Sequence, residues 1–242
     1  GAGHGGLAMA GHLAVMGFRT RLWNRTRERV DNVLDRGGID VEGEVEGFGE
    51  LELATDRVED ALDGADIVMV VVPSSGHRDL AQLVAPHVEP HQMVVLHPGR
   101  TFGAIEFTQA MREAGAKRPP VVSEAQTFIY VSRHAEFARA RILQIKNSVP
   151  LAAIPAHRTP DVLRDIRKAF PQFVAASNVL ETSLDNIGAI FHPSLTMLNA
   201  ARIESTHGDF EYYLEGVSPS TAKILEAADA ERVALGTALG VH

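Results

Sequence analysis

Cysteine is absent from the chain. That excludes disulfides, thiolate metal ligands and a cysteine nucleophile, and it fits a reducing compartment, so a cytoplasmic protein is expected. Long apolar runs are also missing: the longest, Ile67 to Pro73, is of strand length, well short of the roughly 20 residues that a membrane-spanning helix needs. Dense tracts of lysine or arginine do not occur, and acidic residues outnumber basic ones by 31 to 23. This balance argues against a nucleic-acid groove or an anionic membrane surface as the main partner. The 11 histidines are scattered and form no metal constellation, so no metal is expected. Small molecules are the expected partners, with a homodimer left open.

The sequence does contain a glycine turn. Gly1, Gly3 and Gly6 form G-x-G-x-x-G within "GAGHGG". The first glycine permits a tight turn, the second lets the backbone approach a pyrophosphate, and the third lets helix pack on strand, with the helix N-terminus facing the anion. Leu7, Ala10, Leu13 and Ala14 then follow helical spacing, and "FRTRLWN" reads as a strand. Next come a helix from about Thr26 to Leu34, a hairpin-like piece over Gly37 to Leu53, and a short helix feeding the apolar strand that ends at Pro73. Further strands are predicted at Met93 to Pro98, Pro120 to Ala125 and, as one element, Ile142 to Pro155. Alternating helices and apolar strands imply an α/β fold with a Rossmann-type doubly wound parallel sheet covered on both faces. From about Val179 only helical patterns remain, so residues 1–178 are read as a dinucleotide-binding domain and 179–242 as part of an all-helical domain. Such a turn normally follows a strand and the helical tail is short, so the expectation is a chain truncated at both ends.

Cofactor contacts are expected from Gly1, Gly3, His4, Gly5 and Gly6 in the turn, and from Val72, Pro73 and Ser74 at the end of the apolar strand. The end of the second strand bears on which dinucleotide binds, because NAD enzymes usually place Asp or Glu there for the ribose hydroxyl. Here the residues are Asn24, Arg25 and Thr26. A guanidinium and two neutral polar side chains favour NADP, with NAD as the alternative. The other reading of the arginines at 19, 21, 25, 27 and 29 is a solvated basic face.

Five separated stretches, "GAGHGGLAMAGHLA", "LHPGRTFGAIEF", "SEAQTFIYVSR", "LETSLDNIGAIFHPSLTMLNAARIE" and "YYLEGVSPSTAKILEAADAERVALGTALG", resemble, in this order, the octopine/nopaline (opine) dehydrogenase family. The resemblance implies NAD(P)H-dependent reductive condensation of an amino acid amine with a 2-oxo acid, in a cleft between a Rossmann and a helical domain. It implies that His192 is the general acid/base, that Thr127 contacts substrate, and that the loop Pro98 to Gly103 lies beside the nicotinamide. The family's supporting aspartate and oxo-acid-binding arginine lie farther beyond the histidine, and those roles are not transferred to Asp229 and Arg232.

The chemistry is consistent with this assignment, since hydride transfer to a carbonyl or imine carbon changes the charge on the neighbouring O or N, and imidazole is suited to exchange that proton. Pro193 biases His192 away from helical angles and places it at a helix start or kink. Thr196 and Asn199 follow on one helical face, and Asn186 and Asn199 are candidates for orienting His192 or for contacting substrate or nicotinamide. The alternative is a buried histidine satisfied by backbone, with Asn199 as an interhelical hydrogen bond. Arg100, Thr101 and Thr196 are candidate substrate contacts, Arg100 through a carboxylate. Lys146 is read as an exposed strand lysine, and Arg202 and Glu204 as structural. Two other functions remain open: a C–O oxidoreductase like the 3-hydroxyacid dehydrogenases and ketopantoate reductases, and an NADP-binding protein without catalysis.

Overall fold

A computed structural model describes residues 1–135 and 138–241. In chain order it contains α1 (His4–Val15), β1 (Arg21–Trp23), α2 (Arg27–Arg36), β2 (Gly38–Gly43), β3 (Gly47–Glu50), β4 (Leu53–Thr55), α3 (Val58–Leu62), β5 (Ile67–Val70), α4 (His77–Val84), β6 (Met93–Leu96) and α5 (Gly103–Glu113). These are followed by β7 (Val121–Ala125), β8 (Tyr130–Ala135), β9 (Arg139–Ile145), β10 (Val149–Ile154), α6 (Thr159–Ile166), β11 (Phe173–Ala175), α7 (Val179–Leu184), α8 (Gly188–Leu198), α9 (Ala200–Thr206) and α10 (Pro219–Ala238).

The main sheet has the order β11-β10-β7-β6-β5. Side chains on successive positions of β6 enter opposite cores: Val94 and Leu96 pack with Phe107 and Met111 of α5 on one face, while Val95 joins Met9, Leu151, Ile166 and Phe170 on the other. Both faces are therefore covered, as the apolar strands predicted. Burying each of these large side chains contributes about 1.5–3 kcal/mol. The sheet is mixed, however, because β10 runs antiparallel to β7. A second sheet, β3-β2-β9-β8, holds the expected Gly37–Leu53 hairpin and packs on α1.

Two expectations are corrected here. Ile142 to Pro155 is not one strand: the exposed Asn147 and Ser148 break it, leaving β9 in the second sheet and β10 in the main one. The apolar strand β5 is not buried along its length either. It is an edge strand with Ile67, Val68 and Met69 half-buried, because a slot of about 660 Å³, lined by Leu13, Leu22, Ile67 and Met69 among others, separates it from the β1–β4 pair.

From Val179 onward all described elements are helices. Arg232 fastens α10 to the rest by donating to the Leu184 carbonyl while its Nε pairs with Asp229 at 2.7 Å. Among the described residues, no helix is long and apolar enough to cross a membrane, and no group of His, Asp or Glu is arranged to hold a metal.

Candidate active site

Gly3 caps α1, and an added Cβ there would meet nothing within 4 Å. The turn is open on that side, and the first amides of a 12-residue helix have no partner within the helix, which makes the end a ready anion site. Gly6 lies at the opposite extreme: a Cβ would fall 1.6 Å from the Gly1 carbonyl oxygen, so only glycine fits where helix meets turn. These two observations fit a dinucleotide pyrophosphate. Gly5 closes the turn against the segment after β7, its Cβ position lying 2.9 Å from Phe128 Cζ. His4 is exposed at the start of α1.

Asn24 has a job that the sequence did not reveal. Buried at the end of β1, it accepts a hydrogen bond from Ala2 N through Oδ1 at 3.0 Å and donates to the Thr26 carbonyl at 3.1 Å, so it shapes the turn from below. Arg25 and Thr26 are exposed. Of the arginines at 19, 21, 25, 27 and 29, those at 19 and 21 pair with Glu52 and Arg27 pairs with Asp31 and Asp56. Arg25 and Arg29 carry no ion pair among the described residues. Val72, Pro73 and Ser74 leave β5 beside the turn, with Val72 Cγ1 3.4 Å from a Cβ position on Gly1.

The loop after β6 is held tightly. Arg100 and Phe102 both adopt left-handed angles, at φ 61° and 59°, a conformation that costs a non-glycine residue of order 1–3 kcal/mol. Gly99 N donates to the Ala125 carbonyl at 3.1 Å, and Phe102 N donates to Ser183 Oγ at 2.8 Å. At the centre sits Glu124, fully buried on β7. Its Oε2 accepts from Ala104 N at 2.8 Å, and its Oε1 accepts from the hydroxyls of Thr182 and Ser183 at 2.6 and 2.8 Å. Burial pushes this carboxyl above its usual range, outweighing those three donors. Sequence reading passed over Glu124 because it ends an apolar strand; a carboxylate at such a position is the signal that would have found it. Arg100 and Thr101 are exposed on this loop.

The segment after β7 joins the two halves of the site. Phe128 touches the glycine turn, as above, and Thr127 Oγ1 accepts from Lys146 Nζ at 2.7 Å. Gln126 offers its carbonyl to Asn186 Nδ2 at 2.9 Å and its own amide to Asp185 Oδ2 at 2.6 Å. Lys146 is therefore not the exposed strand lysine of the sequence reading: it is half-buried, and burial followed by the Arg100 charge lowers its pKa.

His192 lies within α8, not at its start, with Pro193 inside the helix. The Asn186 side-chain oxygen accepts from Gly188 N, the first amide of this helix, at 3.1 Å. A Cβ position on Gly188 lies 3.0 Å from Asn186 Oδ1 and 3.6 Å from His192 Nε2, so these two groups converge over a bare glycine. On its other side the exposed imidazole offers Nδ1 to the Tyr213 hydroxyl at 3.4 Å, with Phe191 and Tyr213 against the ring. Tyr213 was not singled out from sequence, since an aromatic in a polar link carries no periodic signal. Thr196 donates to the His192 carbonyl at 2.9 Å and meets Tyr212 Oη at 2.6 Å. Asn199 is buried and gives its amide to the Leu195 and Gly216 carbonyls at 2.9 and 3.0 Å. Both side chains brace α8. Arg202 pairs with Glu215 at 2.6 Å.

A glycine turn under a two-faced sheet, followed by a helical region bearing a histidine, defines a Rossmann-type dinucleotide-binding protein with an appended helical unit. Residues 175–242 match the family of the NAD/NADP octopine/nopaline dehydrogenase alpha-helical domain, and residues 1–99 match the NAD-dependent glycerol-3-phosphate dehydrogenase N-terminus. An opine dehydrogenase of Arthrobacter sp. (strain 1C) is 37% identical over 244 aligned residues, covering 100% of this chain and 67% of its own. The solved structure of an octopine dehydrogenase with NADH and L-arginine superposes with a TM-score of 0.78 at 22% identity, covering 98% of this chain and 62% of that one. A yersinopine dehydrogenase with NADP+ bound gives 0.68 at 15% identity, covering 87% and 54%. The chain belongs to the opine dehydrogenase family, an oxidoreductase family, and spans about two thirds of these relatives' length or less.

Proposed function

We propose that this chain carries the cofactor site and the proton-transfer residue of an NADP-dependent opine dehydrogenase, which joins an amino acid amine to a 2-oxo acid by reducing the C=N bond. The observation that carries this reading is the segment Gln126–Phe128, which touches the glycine turn at one end and Asn186 at the other. It links the segment beside the glycine turn to Asn186, whose Oδ1 shares the space over Gly188 with His192 Nε2.

The amides of Gly3, His4, Gly5 and Gly6 hold the pyrophosphate. Arg25 and Thr26 take the ribose 2′-phosphate, and Asn24 keeps the turn in shape. Val72, Pro73 and Ser74 wall the groove. When bound, the nicotinamide supplies the hydride. His192 exchanges the accompanying proton through Nε2, the nitrogen on the Gly188 side, while Tyr213 occupies Nδ1. Asn186 directs its carbonyl oxygen to the same space, where it accepts from an amine. Thr127, Arg100 and Thr101 line the substrate side; Thr196 and Asn199 position the helix. We assign the protein to the cytoplasm, in keeping with a chain that lacks cysteine.

The test is nicotinamide absorbance during incubation of NADPH with pyruvate and pooled amino acids, separately and together. Oxidation only with both present supports reductive condensation. Oxidation with the oxo acid alone would replace this reading with C–O chemistry. No oxidation despite demonstrable NADPH binding would point to a binder without catalysis. For the cofactor choice, 2′,5′-ADP should bind more tightly than 5′-AMP through Arg25, and equal affinities would remove the preference for NADP.

A further inference from the structure

Two cations act on one another's surroundings beside the proposed site, since the charge of Arg100 reaches Lys146. Lys146 follows β9, where its backbone N donates to the Ile129 carbonyl at 2.9 Å, and its half-buried side chain reaches Thr127 Oγ1 at 2.7 Å. Arg100 stands on the loop tied to the same β7 end through Gly99 N and Ala125 O. Neither side chain forms an ion pair among the described residues. The nearby Asp185 carboxylate is engaged by Gln126. The hydroxyl of Thr127 accepts from Lys146 and has no acceptor of its own among the described residues, so its proton is free to be donated.

We propose that Lys146, Thr127 and Arg100 form a carboxylate subsite for one of the two substrates, with Lys146 as its cationic floor, an assignment that rests on the function proposed above. The geometry supplies what a carboxylate requires. The ammonium and the hydroxyl, 2.7 Å apart, donate from one side, and the exposed Arg100 on the neighbouring loop adds a second positive charge. Burial, and after it the charge of Arg100, lowers the Lys146 pKa. A bound anion relieves both effects at once. The left-handed backbone at Arg100 is consistent with a side chain aimed by its loop. Thr127 follows Gln126, whose carbonyl holds Asn186. A substrate anchored by its carboxylate here has its reacting atom directed toward the His192 side of the site.

The carboxylate belongs either to the amino acid or to the oxo acid, and the test separates them. With NADPH bound, calorimetric titrations compare L-arginine with L-argininamide, and pyruvate with pyruvamide, on wild type, Lys146→Met and Lys146→Arg. The expected result is that one acid, but not its amide, binds about tenfold or more weakly to Lys146→Met, with partial recovery in Lys146→Arg, as befits a charge-assisted hydrogen bond. The pair that loses its acid-over-amide preference identifies the source. NADPH affinity and melting temperature should stay at wild-type values, which separates a lost contact from a damaged fold. An unchanged preference for both acids in Lys146→Met, or no measurable binding of either acid to wild type, overturns the proposal. Because binding is measured without turnover, a protein that binds carboxylate through Lys146 yet never oxidises NADPH would defeat the functional reading and leave the subsite standing.

Discussion

Replacing His97 tests how burial of one imidazole sets the acid limit of the fold. His97 directly follows β6, is 1% exposed, and packs edge-on against Phe173 with ring centroids 5.5 Å apart. Its Nε2 lies 3.2 Å from Met69 Sδ, and its Nδ1 has no hydrogen-bond partner among the described residues. Burial lowers its pKa from 6.5 to about 3. A depressed pKa means that between those values the unfolded chain binds a proton that the folded chain refuses. Stability is therefore fully present above pH 6.5 and is lost as pH falls toward 3, at about 1.4 kcal/mol per unit. From pH 7 to 4.5 the loss from His97 alone comes to about 2–3 kcal/mol, or roughly 5–10 °C in melting temperature for a chain of this size. Burial also lowers His12 and His77, adding to the loss in the same direction. The assay is urea unfolding of wild type and His97→Gln at intervals between pH 7 and 4.5. Glutamine does not titrate, so whatever the variant costs at neutral pH, its deficit should shrink by about 2–3 kcal/mol as the pH falls. Parallel profiles, with a gap constant to within about 0.5 kcal/mol, would show that His97 is not held neutral by the fold.

Three further outcomes follow from the site. His192→Gln should lower turnover by about 10²-fold or more while NADPH affinity stays near wild type; turnover close to wild type would remove His192 from proton transfer. Gly6→Ala should destabilise by more than about 3 kcal/mol and weaken dinucleotide binding, because its methyl must displace the Gly1 backbone; a variant that melts and binds like wild type would contradict that contact. Glu124→Gln should cost about 1–2 kcal/mol near pH 5 through mismatched donors. Since burial raises the Glu124 pKa, the stability this group contributes is present below about pH 4.5 and is lost as pH rises through the raised value, so the gap should narrow toward pH 8; a gap that widens would reverse the assignment of burial as the dominant cause.

The dinucleotide half of the fold was legible where local chemistry and global packing agree. Gly6 has the steric reason that its place in the motif implied, Gly3 leaves the turn open, and the alternate sides of "MVVL" found the two cores that an apolar strand demands. Legibility failed where tertiary partners override local pattern. Ile142 to Pro155 alternates like one strand, yet its two halves pair with different sheets. Pro193 favours a helix start or kink, but α8 already begins at Gly188, whose N–H the Asn186 side chain accepts, and runs on through Pro193. Asn24 and Glu124 use their polar atoms on backbone and hydroxyl groups far away in sequence, and no spacing rule reaches across such distances. Lys146 was misread for the same reason, since its partner Thr127 lies on another element.

Glu124 has a consequence beyond stability. One carboxylate grips the start of α5 through Ala104 and the start of the helical region through Thr182 and Ser183, and Ser183 in turn holds the Arg100 loop at Phe102. The nucleotide side and the histidine side thus share this fastening, beside the contacts of Gln126 with Asp185 and Asn186, and a shift of either side strains it. Thermodynamic reciprocity then sets a rule for ligands that act on this fastening: whatever factor the first to bind applies to the affinity of the second, the second applies to the first. Order of addition would therefore change the path by which the ternary complex forms, but not the strength with which it is held.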